Sequence, residues 1–251
     1  MENNCFVSWL ITVFLSLPAF NSSIAQMTQN DSAFYRSAIS NAIDQYHSSS
    51  GDQNALFNGS LYYGYPFRFK QGNALFFPDT LLLRGSVVYD GIRYNDIALE
   101  YDNMQDLVIT QDSLYWVQLN SKKINEFELA GHQFIRLEKN DLNHQIPVTG
   151  FYEILYNART SVLKKEIKSI HEEPSIVEGL ERSVVTSTVY FIKKNGIIYT
   201  VKGEDDILNI LQDKSKDLRQ FMKNNKLKFR KDKENVILQS VMYYEQLTKQ
   251  I

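Results

Sequence analysis

From Gly85 to Thr110 apolar and polar residues alternate, and the alternation doubles back at Asp90-Gly91. That dipeptide supplies the two positive φ angles of a tight type I′ turn, so the period of two on either side reads as a β-hairpin. A two-residue loop sets Tyr89 opposite Ile92 and Val87 opposite Tyr94, all four on one face. Continued unbroken, that register would bury Asp96 and Glu100, whereas Ile97, Leu99 and Tyr101 carry the apolar stripe one residue out of phase. An extra residue near Asn95-Asp96, a β-bulge, restores the phase and bends the strand. The pattern predicts a curved antiparallel sheet.

The same period recurs along the chain. Leu107–Thr110 and Leu114–Leu119 read as strands, and Ala130-Gly131 closes a hairpin that sets Leu129 against His132 and Phe127 against Phe134. Gly150–Tyr156 and Ser161–Ile170 pair around Asn157-Ala158-Arg159, and Glu172–Gly179 reads as a charged loop. Val184–Val201 turns at Asn195-Gly196, the strongest two-residue signal in the sequence, with Ile192 against Tyr199 and Tyr190 against Val201. Gly196→Val is therefore expected to be among the most damaging changes outside the core, ahead of Gly72→Val.

The period changes to that of a helix in two places. Ser32–Tyr46 carries Phe34, Ala38, Ile39, Ala42, Ile43 and Tyr46 on one side. After Gly203, the carboxylates Glu204-Asp205-Asp206 suit a helix start, and Ile207, Leu208, Ile210, Leu211, Leu218, Phe221 and Met222 form a stripe ended by Asn224-Asn225. Asp232 opens a last helix with Val236, Ile237, Val241, Tyr244 and Leu247 on one face. The fold class expected is α+β: a curved antiparallel β-meander of about eight to ten strands with one N-terminal and two C-terminal helices.

Residues 1–25 read as a secretory signal: Cys5–Phe20 is an apolar run, and Ser23-Ile24-Ala25 puts small residues at −3 and −1 of a cut before Gln26. The run is short for a membrane span, which needs about 20 residues. Residues 26–251 then form a single β-rich domain whose helical segment occupies 203–251. The one cysteine, Cys5, leaves with the signal, so the mature chain offers no disulfide, thiol nucleophile or thiolate metal site. Hydrophobic residues at 43%, with 15 each of Phe and Tyr, provide a core. The net charge of −2 points to no strongly charged partner for the chain as a whole.

The order NG-x-x-Y-Y at 58–63, G-x-V-x-Y-D-G-x-x-Y-N at 85–95, L-x-YD at 99–102, GFYEILYN at 150–157 and DKSKDLRQFMKNNKLKF at 213–229 resembles a family of uncharacterised exported proteins of Bacteroidota. The resemblance implies a periplasmic or outer-membrane-associated, or extracellular, setting. Its motifs are turn and strand residues, and it carries over no catalytic residue.

Motif chemistry is sparse. The four histidines, His47, His132, His144 and His171, lack the helical spacing that aligns two metal ligands, and there is no HExxH or G-x-S-x-G. His132 reads as a strand-edge residue, and Asp102–Asp106 as an Asx-type turn. Glu100, Asp102, Glu126, Glu128 and Glu153 lie on strands where a carboxylate pair could form, but nothing singles out two of them.

Two candidate contact sites remain. Lys226, Lys228, Arg230 and Lys231 stand in a basic stretch suited to an anionic membrane surface or an acidic envelope protein; nucleic acid is not expected for an exported chain. Tyr63, Tyr65 and Phe67 are candidate ligand-stacking aromatics, which alternation places on one face with Phe69. The functional expectation is an exported, non-catalytic envelope protein with a binding or accessory role and no cofactor. Two alternatives stand beside it: a carrier of a lipid or other apolar ligand in a half-barrel cavity, and a hydrolase without a recognisable motif.

Overall fold

Among the described residues after Asp44, eleven β-strands lie in one open antiparallel sheet and are followed by three helices. The computed structural model describes Ala38, Leu56 and residues 58–77, 82–112, 114–139, 146, 148–176 and 179–249. The signal and all but Ala38 of the N-terminal helix expectation lie outside these residues; Ala38 is helical and exposed.

The strands are β1 (Ser60–Leu61), β2 (Leu83–Tyr89), β3 (Ile92–Asp102), β4 (Leu107–Asp112), β5 (Tyr115–Gln118), β6 (Ile124–Leu129), β7 (His132–Leu137), β8 (Gly150–Tyr156), β9 (Thr160–Ser175), β10 (Gly179–Lys194) and β11 (Ile197–Val201). Their order across the sheet is β1-β5-β4-β3-β2-β6-β7-β8-β9-β10-β11. Two meanders, β2 to β5 and β6 to β11, are therefore joined where β6 returns to lie beside β2.

The three hairpins predicted from Asp90-Gly91, Ala130-Gly131 and Asn195-Gly196 form in the expected registers, with positive φ at all six positions. The bulge is present too: Gly85 faces Ile97 but Val87 faces Tyr94, so β3 carries one more residue than β2 at Asn95-Asp96, and Asp96 has φ 54°.

The sheet curls toward the face that carries Tyr101, Phe127, Phe134 and Phe151. The rings of Tyr101 and Phe151 lie 5.9 Å apart although β3 and β8 are four places apart in the sheet, about 19 Å if it were flat. This concave face is filled by its own side chains, Phe127 stacking on Phe134 at 4.5 Å and Phe76 meeting Phe134 edge-on at 5.2 Å. Farther along the same face, Val162, Ile192 and Val201 are covered by helices α1 (Glu204–Ile210), α2 (Ser215–Asn224) and α3 (Lys233–Lys249). On the opposite face Tyr152, Leu163, Phe191 and Ile198 pack with Ile146 from the β7–β8 connection.

Three expectations are corrected. There are eleven strands among the described residues, not eight to ten. The loop expected at 172–179 is largely strand: residues 172–175 belong to β9 and Gly179 to β10, which pair from Thr160–Lys194 out to Ser175–Gly179. The stripe 207–222 is two helices, because α1 ends at Leu211 and a 3-10 turn, Gln212–Lys214, precedes α2. No apolar residue lies between the buried Leu211 and Leu218, so a break there exposes nothing. Among the described residues no helix is long and apolar enough to cross a membrane.

The long β9–β10 arm is backed by the segment 62–77. Lys70 N donates to Arg182 O at 2.7 Å and Val184 N to Gln71 O at 2.8 Å; beyond, Phe76 N donates to Tyr101 O at 2.7 Å. One strap thus ties β10 to the end of β3. Gly72 is its tight point, with φ +74° and room so small that a Cβ would stand 3.0 Å from Val184 Cβ. Gly196, at φ +81°, has nothing within 4 Å of such a Cβ. We expect Gly196→Val to cost about 1–3 kcal/mol from strain alone, and Gly72→Val at least as much, reversing the order read from the sequence. Urea unfolding of the two variants checks this; a Gly72→Val protein as stable as wild type would refute the strap.

Candidate functional site

The basic stretch is a structured loop. At the end of α2, Leu227 N donates to Met222 O at 3.0 Å and Lys226 N to Lys223 O at 3.2 Å, while Lys226 takes φ 53°. These bonds make a Schellman motif with a lysine in the left-handed position. Leu227 and Phe229 point into the helical core, Phe229 only 9% exposed, and Asp232 Oδ1 caps α3 by accepting from Asn235 N at 3.1 Å. Alternation around those two anchors turns Lys226, Lys228, Arg230 and Lys231 outward, and all four are exposed.

The four residues make no ion pair among the described residues. Many cations elsewhere are paired: Arg93, Lys123, Arg136, Lys164, Lys165, Arg182 and Lys194 each lie against a carboxylate. From Lys214 to Lys233 nine basic residues accompany only Asp217 and Asp232. Basic residues thus outnumber acidic ones by seven within this stretch, in a chain whose net charge is −2.

The candidate aromatics separate. Tyr65, Phe67 and Phe69 form a ring cluster with centroids 5.2–5.9 Å apart, and the Arg182 guanidinium sits 4.2 Å over the Phe67 ring. Tyr65 OH also donates to Asp102 Oδ2 at 2.9 Å. Tyr63 is 86% exposed. Gly64, at φ +66°, interrupts the expected alternation, so Tyr62 rather than Tyr63 joins Tyr65 on Asp102.

Of the carboxylates named from the sequence, Glu100 and Asp102 of β3 come together: both are fully buried and both act on Tyr62 and Lys168. Glu126 pairs with Arg93 on the face opposite Phe127. Asp102 is fully buried and makes the expected Asx turn, its Oδ1 accepting from Met104 N at 2.8 Å and Gln105 N at 2.9 Å. Glu153 lies on the concave face, with His132 Nδ1 at 2.6 Å from Oε1 and Lys164 Nζ at 2.7 Å from Oε2. Lys164 also reaches Glu234 of α3 at 3.5 Å. Burial works against the Lys164 charge, but the Glu153 carboxylate outweighs it and holds Lys164 above the usual lysine value.

Sequence reading missed this His132–Glu153–Lys164 chain. Its signal was Glu153 at an apolar-phase position between Phe151 and Leu155, but the partner depends on a β8–β9 register shifted by a bulge. It bridges the aromatic core to the helical layer. Comparison with family models, with curated proteins and with solved structures returns no match for this chain.

Proposed function

We propose that this protein is an exported, non-catalytic component of the cell envelope, with a binding or accessory role, and that it docks on an anionic membrane surface through the α2–α3 loop. The observation that carries the reading is the set of four exposed, unpaired cations held on a loop whose alternate residues are anchored in the core. A fixed array of positive charge needs little ordering on contact, and each lysine or arginine near an anionic bilayer contributes about 1 kcal/mol. The signal-like residues 1–25 and the resemblance to exported Bacteroidota proteins support the location. A carrier role draws no support from the concave face, which its own rings fill.

Co-sedimentation of the protein with phosphatidylcholine vesicles containing phosphatidylglycerol tests the reading. Wild type is expected to bind at low salt and to release as salt rises through about 0.15 M, where the screening length falls to about 8 Å. Lys226, Lys228, Arg230 and Lys231 changed together to Gln should lose at least about tenfold in binding, one factor of ten for each 1.4 kcal/mol, with unfolding unchanged. Equal binding by the two proteins, or no binding by either, would sink it.

A further inference from the structure

Beside the basic loop lies a cleft of about 560 Å³, within the size range of small-ligand sites. One wall is the junction of β11 and α1, with Glu204 and Asp205 beside Lys202; the other is the α2–α3 loop, with Lys228 and Arg230. The two carboxylates thus face the loop's cations across one opening, yet none of these five side chains forms an ion pair among the described residues. The walls cannot easily close. Asp206 Oδ2 accepts from Lys202 N at 2.8 Å and Gly203 N at 3.1 Å, which fixes the first wall, and Leu227 and Phe229 anchor the second in the core. Leu227 and Phe229 also line the cleft, giving it an apolar surface beside the charges.

We infer that this cleft takes the headgroup of a phosphoethanolamine lipid. Its phosphate would meet Lys228 and Arg230, its primary ammonium would donate to Glu204 and Asp205, and the first carbons of its glycerol would lie along the half-buried Leu227. Such a ligand satisfies both signs of charge at once, through hydrogen bonds strengthened by ionisation on both sides. Phosphatidylcholine has no N–H to donate to the carboxylates. Phosphatidylglycerol has no cation and would leave them facing its phosphate, so the acidic wall acts as a filter against it. The inference rests on the membrane-docking reading and adds a headgroup preference to it.

Vesicle flotation at constant phosphatidylglycerol content, with phosphatidylethanolamine substituted for phosphatidylcholine, is the first arm of the test. Wild type is expected to bind the ethanolamine vesicles about tenfold more tightly, the gain of a charge-assisted hydrogen bond. Glu204→Gln with Asp205→Asn should abolish that gain while leaving phosphatidylglycerol-dependent binding intact or stronger. The second arm needs no membrane: backbone amide NMR shifts on titration with soluble O-phosphoethanolamine, expected at both 203–205 and 227–230, and with inorganic phosphate, expected at 227–230 only. Ethanolamine selectivity lost in the double variant and shifts on both walls support the site. Equal binding of the two zwitterionic vesicles, selectivity retained by the variant, or identical shift patterns for the two soluble probes would overturn it. If O-phosphoethanolamine titrates the cleft while phosphatidylglycerol vesicles never bind, the docking reading fails and the headgroup site stands.

Discussion

Asp106→Ala is expected to destabilise the protein by about 3–5 kcal/mol, the usual cost of stripping one partner from a buried ion pair. Asp106 sits in the β3–β4 turn, and Lys165 of β9 reaches its Oδ1 at 2.6 Å with a side chain only 4% exposed. The same carboxylate accepts from Tyr101 OH at 2.5 Å and from Phe151 N at 3.2 Å. It is therefore the point where the curled sheet meets itself, β3 on one side and β8–β9 on the other. Without it, Lys165 is left in a low-dielectric site over the Tyr152 ring, 5.3 Å from its centroid. Lys165→Met in the same background should recover much of the loss, because two apolar groups in place of a buried pair are often near neutral.

The pH dependence has a definite sign. Burial already pulls Lys165 below the ordinary lysine value, against the attraction of Asp106. Between that lowered value and the ordinary one, the unfolded chain holds a proton that the folded chain does not, so stability from this group rises with pH. Removing Asp106 extends the window downward. The deficit of the variant against wild type should then shrink between pH 7 and pH 9 in urea titrations. A deficit under 1 kcal/mol, or one unchanged across that range, would contradict this role for Asp106.

What the sequence disclosed follows from how local each feature is. Asp90-Gly91, Ala130-Gly131 and Asn195-Gly196 specify their hairpins within four residues, and the bulge at Asn95-Asp96 shows as a slip in phase along one strand. The strap had no such signature: Lys70 and Arg182 are joined by a backbone bond across more than a hundred residues, and neither flank alternates cleanly. Nor does alternation mark the outer half of the β9–β10 arm, where most side chains are half-buried or exposed and no buried face imposes a period. The basic residues were legible as charge, but the cleft beside them was not. It depends on the β11–α1 junction meeting the α2–α3 loop, and on Leu227 and Phe229 being the inward members of the stretch.

Alkaline pH should unfold this protein steeply, beginning near the ordinary tyrosine pKa of about 10. Burial pushes five phenols, Tyr62, Tyr65, Tyr101, Tyr152 and Tyr190, above that value. Nearby carboxylates push in the same direction, Asp102 on Tyr62 and Tyr65, Asp106 on Tyr101 and Tyr152, and Glu234 on Tyr190. A group whose folded pKa is raised contributes stability in full below its unfolded pKa and loses it as pH climbs beyond. Each such phenol that stays neutral in the fold takes away about 1.4 kcal/mol per pH unit above 10. Tyr101 and Tyr152, 2% and 0% exposed, should show that loss in full, and the three half-buried phenols a fraction of it. Against a total stability on the order of 5–15 kcal/mol, the two fully buried phenols alone remove about 3 kcal/mol one unit beyond the onset and about twice that after two. Phenolate absorbance and far-ultraviolet circular dichroism followed together from pH 8 to 12 test the coupling, with Tyr63→Phe as a control because Tyr63 is 86% exposed. Ionisation of these tyrosines should coincide with loss of the β signal, and Tyr101→Phe should make the fall shallower. Phenolate formation complete by pH 11 with the sheet intact would show that these side chains are not held as the structure places them.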